Sequence, residues 1–301
     1  MKKILKEVDE KRGIVQITIS DERFYTRSQL NPLTNLPEFK FVPSVTWIAG
    51  HYPKGIGYYK WLGEHGWDES QALMREAGDK GSKVHDAISM ILAGLEVRID
   101  TKIINKTTGK EEELQFEEVE CIKAFCDWRA SLESFEPIVW DLTVFSDQHG
   151  YAGSIDLIAR VNGELYIIDF KTSQQVWVSH EMQVSAYRMA IENGENEVLY
   201  KGKQLDVSGL KTAILQIGYQ RNKARFKWTE IADCFPLFMH AKAIWQREAG
   251  DQSPRKVDLP IVLSAAMKKV EQVQSPVEAA SDKVAEEKVQ KKPITKNKNQ
   301  Q

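Results

Sequence analysis

Two apolar runs joined by Asn162-Gly163 constrain the fold of this chain more than any other feature. The runs cover residues 154–161 and 164–171. An Asn-Gly pair in this setting predicts a β-hairpin with a two-residue turn, because both turn residues must adopt a positive φ that these residue types tolerate. Such a turn also fixes the strand register, so Asp156 is expected opposite Asp169.

Two aspartates and a lysine are expected to share one patch of this hairpin. Directly opposed side chains in an antiparallel pair have Cβ atoms about 5 Å apart, and Lys171, two residues after Asp169, points to the same face. Apolar neighbours predict burial on both faces, where two uncompensated carboxylates are costly. A single acid or lysine near a strand end is more often merely solvated. The three together indicate a metal site at Asp156 and Asp169, and carboxylate oxygens favour Mg²⁺ or Mn²⁺.

Two predicted helices supply further polar side chains that could lie near the predicted metal site. In the helix predicted over residues 79–94, His85 lies on the apolar stripe, where a histidine by itself is more often a core residue. A second helix, with Ser179 as its predicted N-cap, follows the hairpin. Gln183 and Tyr187 share one face of it because they are four residues apart.

These motifs, in this order, resemble the PD-(D/E)XK nuclease core and, more narrowly, its RecB-type branch with a trailing QxxxY helix. The motifs are residues 81–85 (GSKVH), 153–156 (GSID), 168–172 (IDFKT) and 183–187 (QVSAY). Residues 43–46 (PSVT) are similar to a segment of phage exonucleases and of the mitochondrial genome maintenance exonuclease. The likeness spans about residues 41–187.

The resemblance implies an α/β fold with a restriction-endonuclease-like core. A mixed central sheet, made of an antiparallel meander that carries the active site plus a further hairpin, would be flanked by helices. The implied activity is Mg²⁺- or Mn²⁺-dependent hydrolysis of DNA phosphodiester bonds by an exonuclease in phage or bacterial DNA recombination, repair or degradation. Linear DNA ends would be the substrate, and a single-strand annealing or other recombination protein is a candidate partner.

The resemblance also assigns roles to individual residues. The implied catalytic residues are Asp156, Asp169 and Lys171. The implied metal ligands are His85, Asp156, Asp169 and the backbone carbonyl of Phe170. The residues implied to organise the site and contact DNA are Gln183 and Tyr187.

Two other functions remain open from the sequence. A structure-specific endonuclease uses the same core, and a non-catalytic nucleic-acid-binding recombination partner could be built on a degenerate version of it. The presence of every metal-site residue argues against degeneracy.

Composition and net charge restrict how the protein can contact DNA, which cofactor it can hold and in which compartment it is expected. A net charge of −2 excludes a general polycation, so DNA contact must come from a local basic surface. Three cysteines are too few for a four-cysteine iron–sulfur cluster and indicate a reducing compartment. No run approaches the roughly 20 apolar residues that span a bilayer. A soluble, cytoplasmic protein without membrane contact is therefore expected.

The chain is expected to divide into three regions. They are an N-terminal strand and helical region (1–80), the nuclease core (81–250) and a disordered low-complexity tail (265–301). The predicted strands and hairpins cover residues 14–20, 138–146, 212–220 and 224–231. The predicted helices cover residues 68–78, 79–94, 111–134 and 233–248, together with a short helix capped by Ser44. Residues 23–38 are predicted to be a loop.

Three smaller features have two interpretations each. The aromatic-rich stretch 54–67 is predicted to be a helix that buries its rings, and the alternative is a stacking surface for unpaired bases. Asp141 either helps to hold the metal site or is a solvated edge residue. The basic tip at residues 221–225 either meets phosphates or is solvated.

Overall fold

The computed structural model describes residues 3–9, 11–19, 22–31, 33–35, 37–106, 108–218 and 225–249. The strands in this part of the chain are β1 (Lys3–Asp9), β2 (Ile14–Ile19), β3 (Glu22–Leu30), β4 (Pro37–Pro43), β5 (Lys102–Ile104), β6 (Glu111–Glu113), β7 (Phe135–Ser146), β8 (Tyr151–Val161), β9 (Glu164–Lys171), β10 (Leu199–Tyr200), β11 (Lys203–Gln204), β12 (Lys211–Gln216) and β13 (Lys227–Glu230). The helices are α1 (Val45–Gly50), α2 (Ile56–Leu92), α3 (Phe116–Ala130), α4 (Val178–Glu192) and α5 (Phe235–Ala249). The predicted tail and most of the basic tip lie outside the described residues.

A five-stranded mixed sheet forms the centre of the fold, with the strand order β13-β12-β9-β8-β7. Only β9 and β12 pair in parallel, and the other neighbours are antiparallel. The sheet therefore contains an antiparallel meander and an additional strand pair, as expected. One face packs against α1, α4 and α5, and the other packs against α2 and α3. The predicted α/β class with flanking helices is confirmed.

The Asn-Gly hairpin forms as the sequence predicts. Asn162 and Gly163 have φ values of 48° and 87°, the left-handed conformation that this turn requires. The predicted register is confirmed in the pairs from Val161 with Glu164 back to Leu157 with Ile168. Regular pairing ends there, so the two aspartates occupy the next position, just beyond the paired ladder.

The predicted loop over residues 23–38 is wrong, because most of that stretch forms strands β3 and β4 of a four-stranded antiparallel sheet. Its polar composition favours a loop in sequence, but Phe24, Tyr25 and Thr26 are fully buried in the structure. Cross-strand pairing with β2 and β4 satisfies the backbone polar groups. The strand predicted over residues 14–20 is confirmed as β2, and Ser44 caps α1 by accepting a hydrogen bond from the Trp47 amide.

The predicted helix boundaries need three corrections. The two helices predicted over 68–78 and 79–94 form one helix, α2, whose only non-helical residue is Gly66 (φ 75°, ψ 172°). This helix passes through the proposed domain boundary at 80/81. The helix predicted from residue 111 begins only at Phe116, because residues 111–113 pair as β6. The N-cap of α4 is Trp177, not Ser179.

The first half of α2 leaves two of its aromatic rings largely uncovered. Tyr59 is 55% exposed and Trp67 is 64% exposed, so the prediction that this stretch buries its aromatics is wrong for these two. Tyr58 and Trp61 are half-buried, and their rings contact each other at a centroid distance of 6.0 Å. No helix in the described part of the chain is long and apolar enough to cross a membrane.

Candidate active site

Strand β9 places Asp169 and Lys171 on the face of the sheet that α4 covers. Their side chains meet, with Lys171 Nζ 2.5 Å from Oδ2 of Asp169. Asp169 is only 1% exposed, so its carboxylate depends on protein partners rather than on water. The Asp169 Oδ2 atom is close to the lysine nitrogen but accepts no hydrogen bond of proper geometry.

Helix α4 supplies the other partners of Asp169. The side-chain amide of Gln183 donates from Nε2 to Oδ1 of Asp169 and to the hydroxyl of Tyr187, at 3.0 Å in each case. Its Oε1 accepts from Lys171 at 3.3 Å. Gln183 thus connects an acid, a cation and a phenol, and the one-turn spacing of Gln183 and Tyr187 makes this arrangement possible.

The second acid, Asp156, is held by the adjacent strand and by helix α2. Its Oδ2 accepts a hydrogen bond of 2.8 Å from the backbone amide of Phe170, and its Oδ1 lies 3.3 Å from Nδ1 of His85. The other ring nitrogen of His85, Nε2, lies 3.1 Å from the carbonyl oxygen of Phe170. Because both ring nitrogens face acceptors, this geometry suits the doubly protonated imidazolium.

The pKa values of the two acids are shifted in opposite directions. Burial, reinforced by the charge of Asp156, raises the pKa of Asp169 to about 6. Burial also disfavours the charged form of Asp156, but the neighbouring His85 and Lys171 charges outweigh it and lower the pKa of that acid. Burial lowers the pKa of His85, and the charge of Asp156 more than reverses this, so the net shift is upward. Two acids with opposite shifts are a common feature of catalytic sites.

The residues around this cluster fit a divalent cation, provided that existing ion pairs open. In the described part of the chain, no three His, Cys, Asp or Glu side chains are already arranged to hold a metal. The reason is that both acids already form ion pairs, Asp169 with Lys171 and Asp156 with His85. The donor set nevertheless has the oxygen-rich chemistry that Mg²⁺ and Mn²⁺ select. The buried Oδ2 atom of Asp169, which accepts no hydrogen bond of proper geometry, would become a ligand atom once Lys171 moves away.

Asp141 stands beside this cluster on the neighbouring strand. The residues on either side of it, Trp140 and Leu142, pair with Leu157 and Ile155, which places Asp141 next to Asp156 across β7 and β8. Asp141 is exposed and has a positive φ of 53°, so it differs from the buried Asp169 and the half-buried Asp156. Its role in the site stays a prediction.

His180 was missed by sequence reasoning and belongs to the surroundings of the cluster. Burial, with the charges of Lys171 and Lys54, lowers the pKa of His180 to about 3. Its Nδ1 accepts from the Trp177 amide at 3.4 Å, as a neutral imidazole can. The loop carrying Trp177, which is 56% exposed, lies between β9 and α4. No spacing signal marks either residue, because their positions depend on how α4 returns over the sheet.

The central mixed sheet carries two acids and a lysine, and a helix with a Gln/Tyr pair packs beside them. This combination of fold and site is typical of a nuclease. The family model for the PD-(D/E)XK nuclease superfamily matches residues 64–296. The match covers more than half of the chain, so the chain belongs to the PD-(D/E)XK nuclease superfamily, whose members are generally metal-dependent nucleases. A comparison with curated proteins found no match.

Proposed function

We propose that this protein is a Mg²⁺- or Mn²⁺-dependent deoxyribonuclease that degrades linear DNA from its ends. The observation that carries the proposal is the network in which Gln183 joins the Asp169–Lys171 pair to Tyr187, with Asp156 and His85 alongside. Such an arrangement costs stability in a purely structural core, since it takes several charged groups out of water. Hydrolysis of a phosphodiester bond can use the same groups, with the acids as metal ligands and the lysine against developing charge.

The candidate ligands for the metal are Asp156, Asp169, His85 and the carbonyl oxygen of Phe170. When bound, the ion would polarise the phosphate, lower the pKa of an attacking water and stabilise the leaving oxygen. His85 must lose a proton before a ring nitrogen can become a ligand. The Nε2 atom of His85 lies 3.1 Å from the Phe170 carbonyl oxygen, so these two candidate metal ligands are on the same side of the site.

Lys171 is assigned to the developing negative charge of the phosphate. In the structure its ammonium group neutralises Asp169. With a divalent cation held at Asp169, the ammonium would be free to face the substrate, where a preorganised positive charge stabilises the transition state. Gln183 acts as a positioning residue, because its Oε1 holds Lys171 and its Nε2 holds Asp169.

The finer assignment is an exonuclease of the RecB-type QxxxY branch that works in phage or bacterial DNA recombination, repair or degradation in the cytoplasm. The Gln183 and Tyr187 pair on α4 supports the branch. The uncovered rings of Tyr59 and Trp67 support contact with an unpaired strand, since stacking contributes about 1–3 kcal/mol per base. A single-strand annealing or other recombination protein is the proposed partner.

Digestion of three DNA substrates tests the proposal. Purified protein with Mg²⁺ or Mn²⁺ should degrade end-labelled single- or double-stranded linear DNA, leave a covalently closed circle intact and stop in EDTA. Asp169→Ala and Lys171→Ala should abolish cleavage while the variants stay folded. Cutting of the closed circle would instead indicate a structure-specific endonuclease. Binding without any cleavage would indicate a non-catalytic partner.

A further inference from the structure

Trp177 is an exposed aromatic residue at the N-cap of α4, at the end of the loop that follows β9. Its side chain is 56% exposed, and within the described residues no other aromatic ring packs on its indole. Trp128 and Trp245, by contrast, are buried against other aromatic rings. A face of the Trp177 indole is therefore available to a flat ligand.

The position of Trp177 on α4 connects it to the candidate active site. Spacings of three, three and four residues place four side chains along one face of the helix, namely Trp177, His180, Gln183 and Tyr187. Tyr187 and Gln183 are buried, His180 is half-buried and Trp177 is exposed. This face therefore runs from the site, where Gln183 accepts a hydrogen bond of 3.3 Å from Lys171, out to solvent at Trp177.

The length of this helix face suits a few nucleotides. Trp177 and Gln183 are six positions apart in the sequence, which is about 9 Å along a helix that rises 1.5 Å per residue. Neighbouring nucleotides of one stacked strand are about 3.4 Å apart. A strand with a phosphate at Lys171 would therefore place a base about two or three nucleotides away beside Trp177.

The charges around this helix face suit a polyanion. The two charged groups that act on the half-buried His180 are Lys171 and Lys54, and both are cations. Lys54 is exposed, and in the ranges that the structure describes no carboxylate forms an ion pair with it. The positive charge and the uncovered indole thus lie at the same end of α4, where a phosphate backbone is attracted and a base can stack.

We propose that Trp177 stacks on an unpaired base of the DNA strand, a few nucleotides from the cleaved linkage, an inference that rests on the proposed function. Every base has a π face, so stacking on an indole tolerates any sequence. A base inside a duplex is stacked between its neighbours and does not offer its face to a side chain. Trp177 therefore makes the enzyme select an unpaired strand beside the active site.

Binding in EDTA tests the inference without cleavage. The probes carry an internal dye, and anisotropy is the readout: a single strand of deoxythymidines, a strand of the same length made of abasic sites, and a duplex of the same length. Trp177→Ala should bind the deoxythymidine strand about 5- to 150-fold more weakly than the parent, the effect of losing one stacked base. Its affinities for the abasic strand and for the duplex should match those of the parent.

Three further variants separate stacking from other effects. Trp177→Phe keeps an aromatic face and should retain most of the affinity for the deoxythymidine strand. Gln174→Ala changes an exposed residue of the same loop and should bind all three probes as the parent does. Lys54→Gln should weaken the deoxythymidine and abasic strands equally, because a phosphate contact does not depend on the base.

Three results would overturn the inference. They are a parent that binds the deoxythymidine and abasic strands with equal affinity, a Trp177→Ala variant that binds the deoxythymidine strand as tightly as the parent, and a Trp177→Ala variant that loses affinity for both strands equally. The first result requires no variant, so the test does not depend on how Trp177→Ala folds.

Failure of the inference is distinguishable from failure of the proposed function, because EDTA prevents cleavage. Any of these three results, together with cleavage of linear DNA by the parent in Mg²⁺ or Mn²⁺, refutes stacking at Trp177 alone. A loss of affinity in Trp177→Ala that depends on the bases, without cleavage by the parent in either metal, refutes the nuclease assignment alone.

Discussion

The ring of Tyr187 occupies the space that a side chain at Gly153 would need. A Cβ at position 153 would lie 2.6 Å from Cε1 of Tyr187 and 3.1 Å from its hydroxyl oxygen. The same hydroxyl accepts from Gln183, which holds Asp169. The absence of a side chain on β8 thus lets α4 approach closely enough to complete the site.

Gly153→Ala should therefore damage stability and activity together. Overpacking costs about 1–3 kcal/mol, and displacement of Tyr187 should release Gln183 and lower DNA cleavage. Urea denaturation and a cleavage assay measure the two effects. Gly63→Ala is the matched control, because it lies in exposed helix with no heavy atom within 4 Å of the new Cβ. It should be neutral or stabilising by about 0.5–1 kcal/mol. Equal behaviour of the two variants would contradict the packing argument.

Gln183→Ala should lower kcat by about 10–100-fold, the range found when a group that orients ligands is removed. The reason is that Lys171 and Oδ1 of Asp169 lose a common partner. Steady-state cleavage of a linear substrate measures the change, with Gln148→Ala, an exposed glutamine, as the control. A kcat unchanged in Gln183→Ala would show that the α4 contacts serve packing alone.

His180 should make the folded state less stable in acid. Its pKa is lowered to about 3 in the folded protein, whereas an unfolded histidine has a pKa near 6.5. Between these values the unfolded chain binds more protons, so stability falls as the pH drops below about 6.5. Replacing His180 with Gln should reduce the loss between pH 7 and pH 5 by on the order of 1 kcal/mol, after allowance for partial exposure.

Denaturant titrations at pH 7 and pH 5 measure this difference, and the exposed His240→Gln variant should show the pH response of the parent. An identical response in His180→Gln and the parent would mean that His180 can be protonated in the folded state.

Tyr59→Ala and Trp67→Ala should weaken binding of single-stranded DNA. Each ring is more than half exposed in the first half of α2, and loss of one stacked base costs about 1–3 kcal/mol. Anisotropy titrations in EDTA measure the affinity. Phe116→Ala removes a still more exposed ring from α3 (74% exposed) and serves as the control. Equal affinities for the Phe116→Ala, Tyr59→Ala and Trp67→Ala variants would show that the rings on α2 do not stack on DNA bases.

Local sequence signals were sufficient for the parts of the fold that depend on neighbouring residues. The turn at Asn162-Gly163 determined the hairpin register, and four-residue spacing placed Gln183 and Tyr187 on one helix face. Strands β3 and β4 were missed because a polar composition favours a loop, whereas pairing with the strands next to them in the chain stabilises this stretch as a sheet.

Tertiary packing also explains what the sequence did not reveal about the site. Pairing between the strands ends before the two aspartates, so the ion pairs of Asp156 with His85 and of Asp169 with Lys171 follow from side-chain packing and not from strand register. The position of His180 depends on how α4 packs over the sheet.

Titration of Mn²⁺ into the protein by calorimetry tests the central claim most directly. The parent should bind Mn²⁺ saturably, and it should release protons at pH 6, because the pKa of Asp169 is about 6 and the pKa of His85 is raised. Asp169→Asn should lose most of this binding, whereas Asp100→Asn, an exposed control, should retain it. A folded parent without saturable Mn²⁺ binding, or an Asp169→Asn variant that binds as tightly as the parent, would contradict the assignment of this cluster as the metal centre of a nuclease.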